Sequence, residues 1–394
     1  MRSGHDIGRS PTVAEFRDRL HEWLDAHAAE LAPRHPLPGT LDEQVAQMQR
    51  VKAITYEAGW MRHGWPERVG GYGGSPVLRT ELGAALAARD LVDPGLFSLV
   101  EVLAPTLIDF ARPELAAQVV PRLLSGAEMW CQGFSEPGTG SDLASLRCRA
   151  VPADGDAAST TAWVVNGQKV WTSLAQYSDR CVLLARTGDA GSRHRGITAF
   201  FVDMDSPGIT VAPIEMINGV REFCEVFFDD VVVPADRVLG EVDGGWAVAM
   251  SILPYERSSC FWQRIAFLYR RLEQLVGLVA GTEDERIAGV VGDAYVQLHA
   301  LRARSRVTQH RLASGETLGA ETSIDKVLVA AAEQAVYDAV RRLAPATVAL
   351  DDSPEGERWR GEYLYSRAAT IYGGTAEIQR NIIARRLLGL GADD

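Results

Sequence analysis

From about Glu128 to Val238 the chain changes texture, and that change limits its fold more than any single residue does. Runs such as AWVVNGQKVW, CVLLAR, GITAFFVDM, GITVAPI and CEVFFDDVVV are short and rich in β-branched and aromatic residues. Gly, Asp, Asn and Pro separate them, which predicts a small antiparallel β domain. The polar stretch 154–161 reads as a hairpin loop. On both sides the apolar residues return to helical spacing. Thr12 and Glu15 have capping-box spacing, and Val13, Phe16, Leu20, Trp23 and Leu24 then share one face. Pro33, Pro36 and Pro38 end that helix. A second amphipathic stretch covers about 41–59, followed by a loop rich in Trp and Gly (59–74). Helical patterning resumes over 76–124, with breaks expected at Pro94, Pro105 and Pro113. Beyond Gly244 and Gly245 helices are expected over 246–281, 283–314, 323–343 and 357–388, with Gly315, Pro345 and Pro354 as breaks. Helix, sheet, helix in that order does not suit one layered domain. It predicts an α+β multidomain chain of three units: 1–126, 127–239 and 240–394.

Bulk properties narrow the function. The 394 residues are 46% hydrophobic, enough for two or three cores. With 52 acidic and 40 basic residues the net charge is −12, which argues against a nucleic-acid partner. An anionic ligand needs a local positive pocket against that field. Cys131, Cys148, Cys181, Cys224 and Cys260 form no C-x-x-C pair and read as buried, reduced thiols of a cytoplasmic protein. No apolar run reaches membrane-spanning length, and the start RSGHDIGRS has no signal-peptide core. His194, His299 and His310 lack metal-ligand spacing. Arg302, Arg304, Arg306 and Arg311 form a basic stripe with His310. It reads as a solvated face or a subunit contact, with CoA phosphate as the sharper alternative. Dinucleotide glycine signatures and P-loops are absent, so nicotinamide chemistry is not expected.

Two pieces point to a flat ligand. Residues 132–142 read QGFSEPGTGSD, a turn whose small residues let backbone N–H groups and hydroxyls approach a planar polar molecule. Trp171, in the run NGQKVWTS, can cover such a molecule's apolar face. Together they suggest a flavin. Taken singly, each is also an ordinary surface turn and an ordinary core aromatic.

With GWPERVGGYGG, CQGFSEPGTGSD, VNGQKVWTS, FFDDVVVPADRVLGEVDGGW and IYGGTAEIQRNIIARRLLGL in that order, the chain resembles the acyl-CoA dehydrogenases from about Ala14 to Gly391. The resemblance implies an N-terminal helical domain, a middle antiparallel β-barrel and a C-terminal four-helix bundle. It also implies FAD, a tetramer with cofactors at subunit interfaces, an acyl-CoA or acyl-carrier-protein thioester as substrate, and an electron-transfer flavoprotein as acceptor. Such chemistry needs a base at Cα, donors at the thioester oxygen and a hydride acceptor at Cβ. By resemblance Gln132, Phe134, Ser135, Gly140 and Ser141 lie along the flavin and thioester. Trp171 covers the ring system, Ser173 places a hydroxyl near N5, and Thr172 is adjacent backbone. Thr375 and Glu377 match the end of the cofactor cradle, while Ser141, Tyr255, Arg257 and Gly374 fall on the substrate side.

Much of the family carries its base in a Tyr-Glu-Gly-Thr motif. Here Tyr372-Gly373-Gly374-Thr375 stands in that place, and Gly373 has no carboxylate, although its N–H can still donate to the thioester oxygen. A branch that includes isovaleryl-CoA dehydrogenase carries the base on an earlier helix, just before an Arg. Pro254-Tyr255-Glu256-Arg257 matches that pattern, so Glu256 is the expected base. Without the resemblance, Glu256 reads as a surface carboxylate paired with Arg257 or Arg264. Two segments depart from the family. The Arg-x-x-Phe-Gly region reads LVGLVAGTEDERIAGVVGDAY, in which Arg286 is the obvious cation, and RRLAPATVALDDSPEG replaces a Gln-x-x-Gly-Gly turn. These departures leave open an α2β2 heterotetramer instead of a homotetramer, and a co-dependent or non-catalytic subunit. A flavin oxidase or monooxygenase of the same fold is a further alternative.

Overall fold

The structure is a computed structural model that describes residues 11–257, 259–316 and 318–391. Helices α1 (Val13–Ala26) and α2 (Ala28–Leu31) open the described chain. The expected capping box is present: the Thr12 hydroxyl accepts from the Glu15 N–H, and the Glu15 carboxylate accepts from the Thr12 N–H. Phe16, Leu20 and Leu24 are buried. A second capping box, Thr40 with Glu43, starts α3 (Leu41–Glu57). Helices α4 (Val77–Ala87), α5 (Pro94–Phe97), α6 (Leu99–Phe110) and α7 (Pro113–Leu124) complete this part. Pro105 does not break the chain as expected; it lies inside α6. An interior proline costs about 3 kcal/mol, but Val102, Leu103, Ala104 and Leu107 around it are buried, and that burial holds the helix.

Strands β1 (Trp130–Gly133), β2 (Arg149–Pro152), β3 (Ala162–Ser173), β4 (Arg180–Arg186), β5 (Ile197–Asp203), β6 (Ile209–Ile214), β7 (Phe223–Pro234) and β8 (Val238–Leu239) follow. They join one sheet, in the order β6-β7-β3-β2-β4-β5-β8, with β1 paired to β4. The loop 154–161 does close a β2–β3 hairpin. The sheet differs from the expected antiparallel barrel in two ways. Its path is open, ending at β6 and β8, and β1 runs parallel to β4, with Trp130 opposite Arg180. Trp130, Val182, Leu184 and Phe201 on one face share a core with the N-terminal helices, while Trp163, Phe200, Phe228 and Val231 form a second core on the other face.

Helices α8 (Gly245–Glu256), α9 (Ser259–Leu278), α10 (Arg286–Ala313), α11 (Thr322–Leu343), α12 (Pro345–Ala349), α13 (Pro354–Ser366) and α14 (Ala376–Ile382) end the chain. The long helices α9, α10, α11 and α13 supply the third core, including Leu268, Leu298, Val336 and Trp359. Two expected helices are each split. The first breaks between α8 and α9, at Arg257. The second breaks at Gly373 and Gly374, whose φ of 61° and 89° no helix contains. Within the basic stripe Arg304 pairs with Asp325 and Arg311 with Glu316 and Glu321, while Arg302 stacks over Tyr269. Those arginines join helices to each other and to the α10–α11 turn. The five cysteines are free, and all but the half-buried Cys260 are buried.

Candidate active site

One wall of the site is built by β1, the turn after it, and β3. The Val170 N–H donates to the Ser135 carbonyl (2.9 Å), which fastens the turn to β3. Glu136 is buried beneath the turn and accepts from the Arg147 and Cys148 N–H groups (2.7 and 2.8 Å). It also accepts from Lys169 Nζ at 2.8 Å, and the same ammonium donates to the Phe134 carbonyl at 3.1 Å. This buried pair braces the turn from below and leaves Gly140 and Ser141 exposed above. A Cβ added at Gly138 or Gly140 would meet no atom within 4 Å, so packing within the chain does not demand glycine there.

Trp171 stands 58% exposed beside this turn, with Phe223 edge-on to its ring at 6.1 Å. Its φ is 60°, at a shift in the β3–β7 register between Lys169 and Thr172. A bulky residue held there stores about 1–3 kcal/mol of strain, and such strain gathers at ligand sites. The Thr172 and Thr139 hydroxyls are buried without a hydrogen-bond partner in the described chain. Gln132 and Ser173 are half-buried and Phe134 is buried. An exposed aromatic face, small residues and orphaned hydroxyls fit a flat heteroaromatic group such as a flavin. Because the brace is an ion pair, Lys169→Met strands the Glu136 carboxylate and should lower stability by about 3–5 kcal/mol. Thermal unfolding monitored by flavin fluorescence checks this; an unchanged Tm contradicts it.

A second cluster comes from the end of α8 and the Tyr372–Thr375 turn. Glu256 is half-buried, and its Oε1 lies 2.5 Å from the point a Cβ on Gly373 would occupy. Buried Arg257 donates from Nη2 to the Gly373 carbonyl at 3.5 Å, and its Nε has no partner in the described chain. Burial pulls the Arg257 guanidinium below its ordinary pKa, and the neighbouring Glu256 charge opposes that. Tyr372 donates to Glu333 (3.4 Å), which is held by Arg264 through contacts of 2.6 and 3.0 Å. Arg264 is therefore committed to Glu333 rather than to Glu256. A Cβ on Gly374 would collide with Gln379 Nε2. Tyr255 is half-buried next to Glu256.

The remaining expected cofactor residues have other partners. The Thr375 hydroxyl caps α14 by accepting from the Ile378 N–H at 3.2 Å. Glu377 is exposed in the first turn of that helix. Arg286 is exposed at the start of α10, where its guanidinium is held by Asp284 at 2.7 Å. Among the described residues no group of His, Cys, Asp and Glu could hold a metal ion, and no helix is long and apolar enough to cross a membrane.

Comparison with known proteins agrees with this geometry. Residues 10–127 match the family model for the acyl-CoA dehydrogenase N-terminal domain, 131–231 the middle domain and 243–388 the C-terminal domain. The chain belongs to the acyl-CoA dehydrogenase family. Acyl-CoA dehydrogenase IpdE1 of Mycobacterium tuberculosis is 40% identical over 96% of this chain and 98% of the relative. Among solved structures, the Tcur3481-Tcur3483 steroid ACAD superposes with a TM-score of 0.81 at 25% identity, covering 99% of this chain and 100% of that one. The ChsE4-ChsE5 complex from Mycobacterium tuberculosis gives 0.79 at 26% identity, with both chains fully covered. Family members are FAD flavoproteins, and this chain is an oxidoreductase of the acyl-CoA dehydrogenase class with FAD as its cofactor.

Sequence reading gave no role to Lys169, Lys326 or Glu333, took Glu136 only as part of the small-residue turn, and named Arg264 only as a possible partner of Glu256. All but Arg264 are buried, and Arg264 is nearly so. Charged residues on strands and helices read as solvent-facing unless their partners are known, and each of these partners lies far along the chain or across a turn.

Proposed function

We propose that the chain removes the α-proton and β-hydride of an acyl-CoA thioester to give the 2-enoyl thioester, with Glu256 as the base. The observation that carries this reading is the contact of the Glu256 carboxylate with Gly373. A carboxylate from α8 thus stands where a side chain at position 373 would begin, beside a position that has none. FAD, when bound, supplies the acceptor for the β-hydride. The chain's residues do the rest. Glu256 takes the proton from Cα as the Cα–Cβ double bond forms. The Gly373 N–H donates to the thioester oxygen, where charge develops. Arg257 donates to the Gly373 carbonyl and so braces the turn that carries that N–H.

A bulky, alicyclic acyl group is the substrate class we infer. The superposed steroid ACAD supports this class. Anaerobic titration of the purified flavoprotein with butanoyl-CoA, isovaleryl-CoA and 3-cyclohexylpropanoyl-CoA tests both points. The flavin absorbance should bleach most completely with the cyclohexyl thioester. No bleaching with any of the three rejects the dehydrogenase mechanism, and preference for butanoyl-CoA rejects the substrate class.

One observation favours assembly with an unlike chain. Arg286, the cation expected to reach a neighbour's cofactor, is engaged by Asp284, and the ChsE4-ChsE5 neighbour is a two-protein complex. Expressed alone, the chain should then purify with less than one FAD per protomer. Full flavin occupancy in a homotetramer contradicts the heteromer. An electron-transfer flavoprotein is the acceptor we expect.

A further inference from the structure

Lys326, on α11, is 1% exposed and close to the candidate base. Its Nζ donates to the Ala369 carbonyl at 2.6 Å and lies 4.2 Å from the centroid of the Tyr372 ring. Its Cε is 3.5 Å from the point a Gly373 Cβ would occupy, the same point that Glu256 Oε1 approaches at 2.5 Å. A buried ammonium and the candidate base thus converge on one side of Gly373. The charged groups facing Lys326 are Glu256 at the end of α8, Arg257 in the turn after it, Arg264 from α9 and Glu333 on its own helix. The two carboxylates favour the ammonium and the two arginines oppose it. Glu333 is already bound by Arg264. Glu256 is therefore the carboxylate left to balance the Lys326 charge, through a medium where Coulomb attraction is much stronger than in water.

We propose that Lys326 is a positioning residue for Glu256, keeping its carboxylate turned onto the Gly373 side of the site. The proposal rests on the reading of Glu256 as the base. A fixed cation beside a carboxylate favours the side-chain rotamer that faces it, and that direction is what a base aimed at Cα needs. The same ammonium grips Ala369, in the short turn just before Tyr372, so one side chain sets both the base and the backbone that faces it. Burial lowers the Lys326 pKa to about 8, so the cation is present at neutral pH and is lost as pH rises through about 8.

The test is the rate of anaerobic flavin reduction by 3-cyclohexylpropanoyl-CoA from pH 6 to pH 9, on the holoprotein with any partner chain it purifies with. Wild type is compared with Lys326→Met, Lys326→Arg and Glu256→Gln. Without Lys326 the Glu256 carboxylate loses the cation that holds its direction, and a reacting group misplaced by about 1 Å loses about 10²-fold in rate, so Lys326→Met should slow reduction by at least about tenfold at pH 6.5. The ratio to wild type should shrink above about pH 8, and Lys326→Arg should retain most of the rate at neutral pH. A constant ratio at all pH values, or equal losses in the Met and Arg variants, overturns the proposal. Should Lys326→Met fail to accumulate as holoprotein, Lys326→Gln carries the same expectation. The Glu256→Gln arm separates the two readings. If it still reduces flavin, the assignment of the base fails and this proposal fails with it. If it does not, the Lys326 profiles alone decide.

Discussion

Glu256→Gln should bind FAD with wild-type stoichiometry and remain yellow when substrate is added under anaerobic conditions. The amide keeps the size and shape of the side chain but cannot take a proton. Loss of a positioned base lowers a rate by about 10²- to 10⁴-fold, so reduction complete in the wild type within mixing time should stretch to minutes or longer. Flavin content and thermal stability should change little, because Glu256 is only half-buried and lies at a helix end. Rapid-mixing absorbance at the flavin maximum is the measurement. Reduction at the wild-type rate would place the base elsewhere in the molecule.

Gly373→Ala should be nearly as damaging, although it removes no functional group. The new methyl would lie 2.5 Å from Glu256 Oε1, closer than any real contact of that kind, and an alanine at φ of 61° adds about 1–2 kcal/mol of backbone strain. Relief requires the carboxylate to swing away or the turn to shift. A misplacement of about 1 Å at a reacting group costs about 10²-fold in rate. Flavin reduction should fall by that order while FAD stays bound. The same geometry makes a complementary prediction. Positions 256 and 373 compete for one volume, so Gly373→Glu alone should be inactive. Combined with Glu256→Gly it should recover measurable reduction. Equal activity of Gly373→Ala and wild type would show that the two residues do not meet in the working enzyme.

Much of the fold was legible because local rules and burial agreed. The Thr12–Glu15 box, the β2–β3 hairpin and the breaks before Pro345 and Pro354 follow from residues within a few positions of each other. Where expectation failed, distant packing had overruled a local signal. Pro105 stays helical because its neighbours are buried in the main core. The sheet is open, with the N-terminal helices packed on one of its faces, a relation between residues no local pattern records. Helix 357–388 was expected to be continuous because its apolar spacing is helical, yet Gly373 and Gly374 take left-handed angles that turn the chain back toward α8.

Residue order by itself determined the three-part architecture, the small-residue turn with its tryptophan, and the absence of a carboxylate at position 373. These are matters of composition and spacing along the chain. Only the tertiary structure decided that Glu256 fills the vacated place, that Arg257 grips a carbonyl 116 residues away, and that Lys169 is buried beneath the turn after β1 and Lys326 beside Gly373. Charges act across space rather than along sequence, and which charge faces which was settled by the packing of helices and sheet around them.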